Sequence, residues 1–274
     1  MLLSMLLDPM DPSTAYFLGL LQTDGCHEGH PSQKGRVTIE LASRDEAVLV
    51  ALAKAIPYKA TLSRRTRVTN FSSGEYTTST LRLFDQDLRR QLTALGIPPG
   101  KKSTTIGPPR VPFSAPDYLR GVLDGDGSVG FTAKKYPFIS LVTASGTLSE
   151  FFCQQVAEVC GVVRTANRNS RDGVFNIMVT SHAAATLAHY VWYEAARVTI
   201  ARKYVSAQRV ATWKPDADKA GRYGVTRKAW TPDEDSVVLS NSDEVSAEIL
   251  DRTIKSVAIR RWRLKNTAAG TCEV

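Results

Sequence analysis

Asp24 and Asp126 are the residues of this 274-residue chain whose type and setting point most directly to chemistry. Each stands near the end of a run of small and apolar residues, Ala15-Tyr-Phe-Leu-Gly-Leu-Leu-Gln-Thr-Asp-Gly25 and Asp117-Tyr-Leu-Arg-Gly-Val-Leu-Asp-Gly-Asp-Gly127. A helix-start signal opens each run, Asp11-Pro-Ser13 in the first and Ser114-Ala-Pro-Asp117 in the second, and glycine closes both. Two such helices packed side by side, with small residues letting the backbones approach, would bring the two carboxylates together. Adjacent carboxylates repel unless cations lie between them, and hard oxygen ligands suit magnesium. A divalent-metal clamp of that kind can generate hydroxide and stabilise the charge of a phosphodiester under attack. The chemistry expected of the pair is therefore metal-dependent phosphodiester hydrolysis.

Charge agrees with such a substrate. The formal net charge is +8, which favours a polyanionic partner because each cation near a phosphate releases condensed counterions. Hydrophobic residues make up 43% of the chain, enough for a packed core. The cysteines at 26, 153, 160 and 272 form no Cys-x-x-Cys pair, so neither a zinc ribbon nor a disulfide framework is expected. Cys26, His27 and His30 lack the fourth ligand of a closed tetrahedral site and read as a loop. The N-terminal Met1–Met10 does not read as a signal peptide, and no stretch reaches a membrane-spanning length. The expected compartment is the one that holds DNA, which in a bacterium or phage-infected cell is the cytoplasm and its nucleoid.

The two acidic runs head two similar series of elements. The first series reads as a strand near 36–43, a helix near 45–55, strands near 60–69 and 76–84, and a helix near 86–95. Its counterparts in the second are 137–143, 147–160, 162–167, 173–180 and 183–193. A proline-rich stretch over 98–116 joins the halves, and a polar, glycine-containing stretch over 214–227 precedes a third, helical unit at 228–266.

At this point the residues resemble the LAGLIDADG homing endonucleases, named for this helix. The first copy aligns as FLGLLQTDG and the second as LRGVLDGDG, with Gln22 where the consensus carries an earlier acid. The resemblance implies an α+β fold of two pseudo-symmetric αββαββα repeats forming a DNA-binding saddle. It implies a monomer that needs no protein partner and cuts double-stranded DNA at a long target to leave staggered ends. It assigns Asp24 and Asp126 as metal ligands, together with the backbone carbonyls of Thr23 and Gly125. The implied cofactor is Mg2+, with Mn2+ able to substitute and Ca2+ binding without cleavage. The family also carries a lysine near the scissile phosphate, and Lys102 and Lys203 fit that place. The acids lie 102 residues apart and these lysines 101 apart, so the two registers agree.

Family members read DNA with the exposed face of their sheets, which makes strand cations the candidate DNA contacts: Arg64, Arg65, Arg67 and Arg82 in the first half, and Lys134, Lys135, Arg164 and Arg168 in the second. The C-terminal unit resembles a Myb-like or helix-turn-helix module. Thr231-Pro-Asp-Glu looks like a capped first helix, 243–250 a second, and the helix after Thr253 carries Arg260 and Arg263 as candidate DNA contacts. Two other functions share the fold, a non-cleaving transcription regulator and an RNA maturase. The intact Asp24 and Asp126 argue against the regulator.

Overall fold

The computed structural model describes residues 6–68, 75–214 and 230–269. The chain divides into two compact units, residues 1–215 and 216–274.

The first unit is built around two helices, α1 (Pro12–Asp24) and α4 (Ala115–Asp126). The Asp11 carboxylate caps α1 by accepting from the Thr14 amide at 2.8 Å, and proline occupies the first turn. Residues 14–22 of α1 and 117–124 of α4 are buried on every side, as expected of helices inside a core rather than on its surface. They meet at Gly19 and Gly121. A Cβ on Gly19 would sit 2.2 Å from the Tyr118 carbonyl oxygen, and one on Gly121 would sit 2.2 Å from that of Tyr16. Glycine is a poor residue for a helix interior, and here the close backbone crossing requires it twice.

Behind α1 come β1 (Gly25–Glu28), β2 (Arg36–Ala42), α2 (Glu46–Ala55), β3 (Ala60–Val68), β4 (Glu75–Leu83) and α3 (Gln86–Ala94). The strands form an antiparallel sheet in the order β1-β2-β4-β3. Alternate residues Val37, Ile39, Leu41, Leu81 and Leu83 point into the core with Leu49, Leu52, Leu88 and Leu92 of the helices. Behind α4 come β5 (Gly127–Phe131), β6 (Pro137–Thr143), α5 (Gly146–Cys160), β7 (Phe175–Thr180), α6 (Ser181–Val191) and α7 (Ala201–Ala211), with sheet order β5-β6-β7.

Two differences from the sequence expectation are informative. Strands β1 and β5 follow each acidic helix directly, and their short, glycine-containing sequences gave no periodic signal. Conversely, the strand expected at 162–167 does not form. Val162, Arg164 and Ala166 are half-buried and their neighbours exposed, so the segment alternates, but its backbone pairs with β7 only at an isolated bridge from Arg168 to Phe175. The polar turn closed by Asn169 and Gly173 leaves it at the sheet edge without a continuous ladder.

The second unit contains α8 (Pro232–Ser240), α9 (Asp243–Leu250) and α10 (Ile254–Ala269). Thr231 and Glu234 form a reciprocal capping box at the start of α8. Val238, Ala247 and Val257 make a small core, flanked by Trp230, Leu250 and Leu264. The Arg252 guanidinium lies 3.9 Å over the Trp230 ring and donates to Glu234 at 2.8 Å.

Candidate active site

The ends of α1 and α4 carry the acids side by side. Gly125 packs against the other helix: a Cβ there would meet Thr23 Oγ1 at 2.0 Å and Asp24 Oδ2 at 3.2 Å. The Asp24 carboxylate therefore lies beside the backbone of the opposite motif.

Each helix end is held by a lysine from about 80 residues further along the chain. Lys102 Nζ donates to the carbonyl of Gln22 and, at 3.5 Å, to that of Thr23. Lys203 Nζ donates to the carbonyls of Leu123 at 2.8 Å, Asp124 at 2.6 Å, Gly125 at 3.4 Å and Gly127 at 2.8 Å. Gln22 and Thr23 occupy the motif positions of Asp124 and Gly125, so the two contacts correspond. An ammonium suits this place because the last carbonyls of a helix lack internal partners and carry the negative end of its dipole.

The carboxyls are electrostatically strained. Burial first, then repulsion from Asp126, pushes the Asp24 carboxyl from 3.8 up to about 6, while Lys203, Lys102 and Arg202 pull it back. Burial likewise raises Asp126, opposed first by Lys102 and then by Lys203. Lys203 opposes the rise most strongly at Asp24, and Lys102 most strongly at Asp126. Burial lowers both lysines.

This has a consequence for stability. Because the folded-state value of Asp24 lies above the unfolded one, the folded chain holds a proton between about pH 4 and 6 that the unfolded chain gives up, so stability falls as pH rises through that window. A move from 3.8 to about 6 corresponds to about 3 kcal/mol, reduced to roughly 1–2 kcal/mol by solvent at this half-buried group. Asp24→Asn is expected to stabilise the metal-free protein by about that amount at pH 7.5 and by nothing at pH 4. A melting temperature unchanged or lower at pH 7.5 would contradict the electrostatic reading.

The donor set fits a hard divalent cation: two carboxylates at the helix ends and the neighbouring carbonyls of Thr23 and Gly125, without sulfur or imidazole. Among the described residues no group of three or more His, Cys, Asp or Glu gathers at all, so the site's side-chain donors are its two carboxylates. His27 Nδ1 instead bonds the Ile97 carbonyl at 2.9 Å and His30 Nδ1 bonds Ser32 at 2.7 Å.

The earlier motif position is structural. Asp124 is buried and accepts from Tyr16 Oη at 2.8 Å, Thr199 Oγ1 at 3.0 Å, Trp192 Nε1 at 3.3 Å and the Ile200 amide at 2.7 Å. Its mate Gln22 accepts from Tyr118 Oη at 3.4 Å and the Gly107 amide at 2.8 Å. Tyr16 and Tyr118 thus cross between the helices, a pair signalled in the sequence only by their shared spacing from the acids.

The arginines of the first sheet separate by strand parity. Register places Arg65, Arg67 and Arg82 on the open face, in line with Thr38, Glu40 and Thr80. Arg67 donates to Glu40 at 2.6 Å and Arg82 to Ser63. Arg64 lies on the opposite, helix-covered side, gripped through Nε at 2.5 Å and Nη2 at 2.8 Å by Glu46 of α2. In the second half Lys134 and Lys135 sit in the tight turn between β5 and β6 rather than on a strand, with Lys135 at φ 61°. Arg164 belongs to the irregular segment and lies near the Cys153 and Cys160 thiols of α5, and Arg168 covers the Phe175 ring at 5.0 Å. In the C-terminal unit Asp235 holds Arg260 at 2.6 and 2.7 Å, so that guanidinium faces into the unit, whereas Arg263 is exposed. No helix among the described residues is long and apolar enough to cross a membrane.

No protein-family model and no curated protein matches the chain. Solved structures do. The homing endonuclease I-WcaI bound to its DNA recognition sequence superposes with a TM-score of 0.52 at 8% identity, over 73% of this chain and 87% of that one. Variants of the homing endonuclease I-DmoI give 0.47 at 15% identity, over 69% of this chain and 93% of that one. I-SmaMI bound to uncleaved DNA in the presence of calcium ions gives 0.45 at 10% identity, over 74% and 90%. With its paired motif helices and flanking antiparallel sheets, the chain has the α+β fold of the LAGLIDADG homing endonucleases.

Proposed function

We propose that this protein is a site-specific endonuclease that hydrolyses both strands of a DNA duplex as a monomer. The observation that carries the reading is the pair of carboxylates brought together at the ends of two crossing helices, Asp24 beside the backbone of Gly125, with Lys102 and Lys203 holding the two helix ends. One chain supplies two carboxylates and two lysines, and a duplex has two strands to cut. Mg2+, with Mn2+ as substitute and Ca2+ as a non-productive mimic, would be held by the two carboxylates and two carbonyls and would supply an activated water and charge neutralisation.

The chain's own groups do the rest. Asp24 and Asp126, each at the end of a helix packed against the other, present the oxygen ligands. Lys102 and Lys203 hold the last turns in place and put positive charge beneath the phosphates, where charge develops in the transition state. Arg65, Arg67 and Arg82 on the open face of the first sheet would meet the major groove, with arginine suited to guanine. The C-terminal unit, as a Myb-like module, would add contacts through Arg263.

The test is cleavage of a randomised duplex library with Mg2+ and with Ca2+. Expected are breaks in both strands at one long sequence with Mg2+, and binding without breaks with Ca2+. Enrichment of one sequence by binding, with no cut under either ion, would overturn the nuclease and leave a DNA-binding regulator.

A further inference from the structure

Arg202 is the first residue after the N-cap region of α7 that reaches across to the other repeat. Its guanidinium grips the carboxylate of Asp45, through Nε at 3.1 and 3.2 Å and Nη2 at 3.0 Å. Asp45 is the N-cap residue of α2 and has the right type to cap that helix, yet it makes no cap bond and is buried under Arg202. The corresponding residue of the second repeat, Ser145, behaves differently. It caps α5 by accepting from the Leu148 amide at 3.3 Å, and its hydroxyl donates at 2.6 Å to the carbonyl of Ile106, in the stretch that joins the halves. So one helix cap is latched by a charged group of the other repeat and its counterpart by a neutral backbone group of the connector. Lys101, the residue preceding Lys102 as Arg202 precedes Lys203, is exposed.

The charged latch leaves one donor over. Asp45 takes Nε and Nη2, and Nη1 of Arg202 has no partner among the described residues. The side chain is 48% exposed and lines a cavity of about 490 Å³ with Gly125, Gly127, Ser128, Lys203 and Ser206. No carboxylate lines that cavity. Its other cation, Lys203, already donates to four backbone carbonyls, which leaves Arg202 as the wall group with an available charged donor. A planar guanidinium fixed on one edge by a carboxylate presents its other edge in a set direction, the geometry that suits a phosphate oxygen.

We infer that Arg202 binds one DNA backbone phosphate beside Lys203, at that end of the site alone, so that the two strands are held unequally. The inference rests on the DNA endonuclease reading above. Asp45 sets the direction of the guanidinium, whereas Ser145, in the place of Asp45, offers the counterpart Lys101 no carboxylate to fix it.

The test couples protein and DNA changes in binding, without divalent metal. Duplexes of the selected target, each with one phosphate replaced by a neutral methylphosphonate, are titrated against wild type and Arg202→Gln by fluorescence anisotropy. Wild type is expected to lose about tenfold in affinity at one phosphate, and Arg202→Gln to lose nothing further there. Asp45→Asn, which keeps the arginine and frees it, should shrink the same coupling, and Arg202→Lys should restore part of it. A general fold defect would weaken binding at every position alike and would not produce coupling at one. Cleavage then identifies the strand: the coupled phosphate should lie on the strand whose cutting is slowed by Lys203→Met rather than by Lys102→Met. No coupled phosphate, or one on the Lys102 strand, overturns the inference while leaving the endonuclease intact. Wild-type protein that binds no duplex overturns both.

Discussion

Asp126→Asn is expected to lower double-strand cleavage by roughly a hundred- to a thousand-fold while leaving specific binding of the target in Ca2+ within a few fold. The asparagine is isosteric, so the crossing of α1 and α4, which depends on Gly19 and Gly121 some distance up the helices, is untouched. What is lost is one of two anionic oxygen donors at a point where no other acid of the described residues is gathered. The repulsion that raises Asp24 is lost with it, so the remaining carboxyl should titrate lower than about 6. In the metal-free protein the stability gained on acidification from pH 7 to pH 4 should therefore be smaller in Asp126→Asn than in wild type. Cleavage by Asp126→Asn at the wild-type rate would remove the paired carboxylates from the mechanism. Loss of binding and cleavage together would mean that the substitution had disturbed the fold, and circular dichroism would distinguish that case.

Gly19→Ala is expected to cost about 3 kcal/mol or more of stability and to abolish cleavage at 37 °C. The added methyl would lie 2.2 Å from the Tyr118 carbonyl oxygen and 2.9 Å from the Val122 amide nitrogen, both backbone atoms that cannot rotate away. Relief requires the helices to separate, which would lengthen the Tyr16–Asp124 and Tyr118–Gln22 hydrogen bonds and move Asp24 away from Gly125. Elsewhere in a helix the same substitution stabilises by roughly 1 kcal/mol, so the sign itself is diagnostic. Chemical denaturation of Gly19→Ala beside Gly146→Ala, a glycine at the start of α5 with open space around it, would check this. Equal stabilities would contradict the close crossing.

Both motif helices were legible because apolar spacing, cap residues and the terminal acid all point to one answer, and the matching spacing of Lys102 and Lys203 marked the same place twice. The strands were legible where they alternate and were missed where they are short, as in β1 and β5. Arg64 and Arg65 show a sharper limit. Neighbouring residues of a strand point to opposite faces, so the two could never have faced one groove together, and only the pairing of Arg64 with Ser79 and Arg65 with Thr78 says which is which. Arg202 and Asp45 stand 157 residues apart, and their pairing follows from how the repeats dock, which no local pattern carries.

The crossing of Tyr16 to Asp124 and of Tyr118 to Gln22 repeats one backbone arrangement with two different side-chain chemistries. In a homodimer an isologous interface uses each contact twice, and any substitution is made on both sides at once. Within a single chain each half can differ from the other, as Gln22 differs from Asp124 and Ser145 from Asp45. The same freedom extends to the two sheet faces, one bearing Arg65, Arg67 and Arg82 and the other Ser128, Ser140, Val142 and Met178. A DNA-binding protein so divided need not read a palindrome.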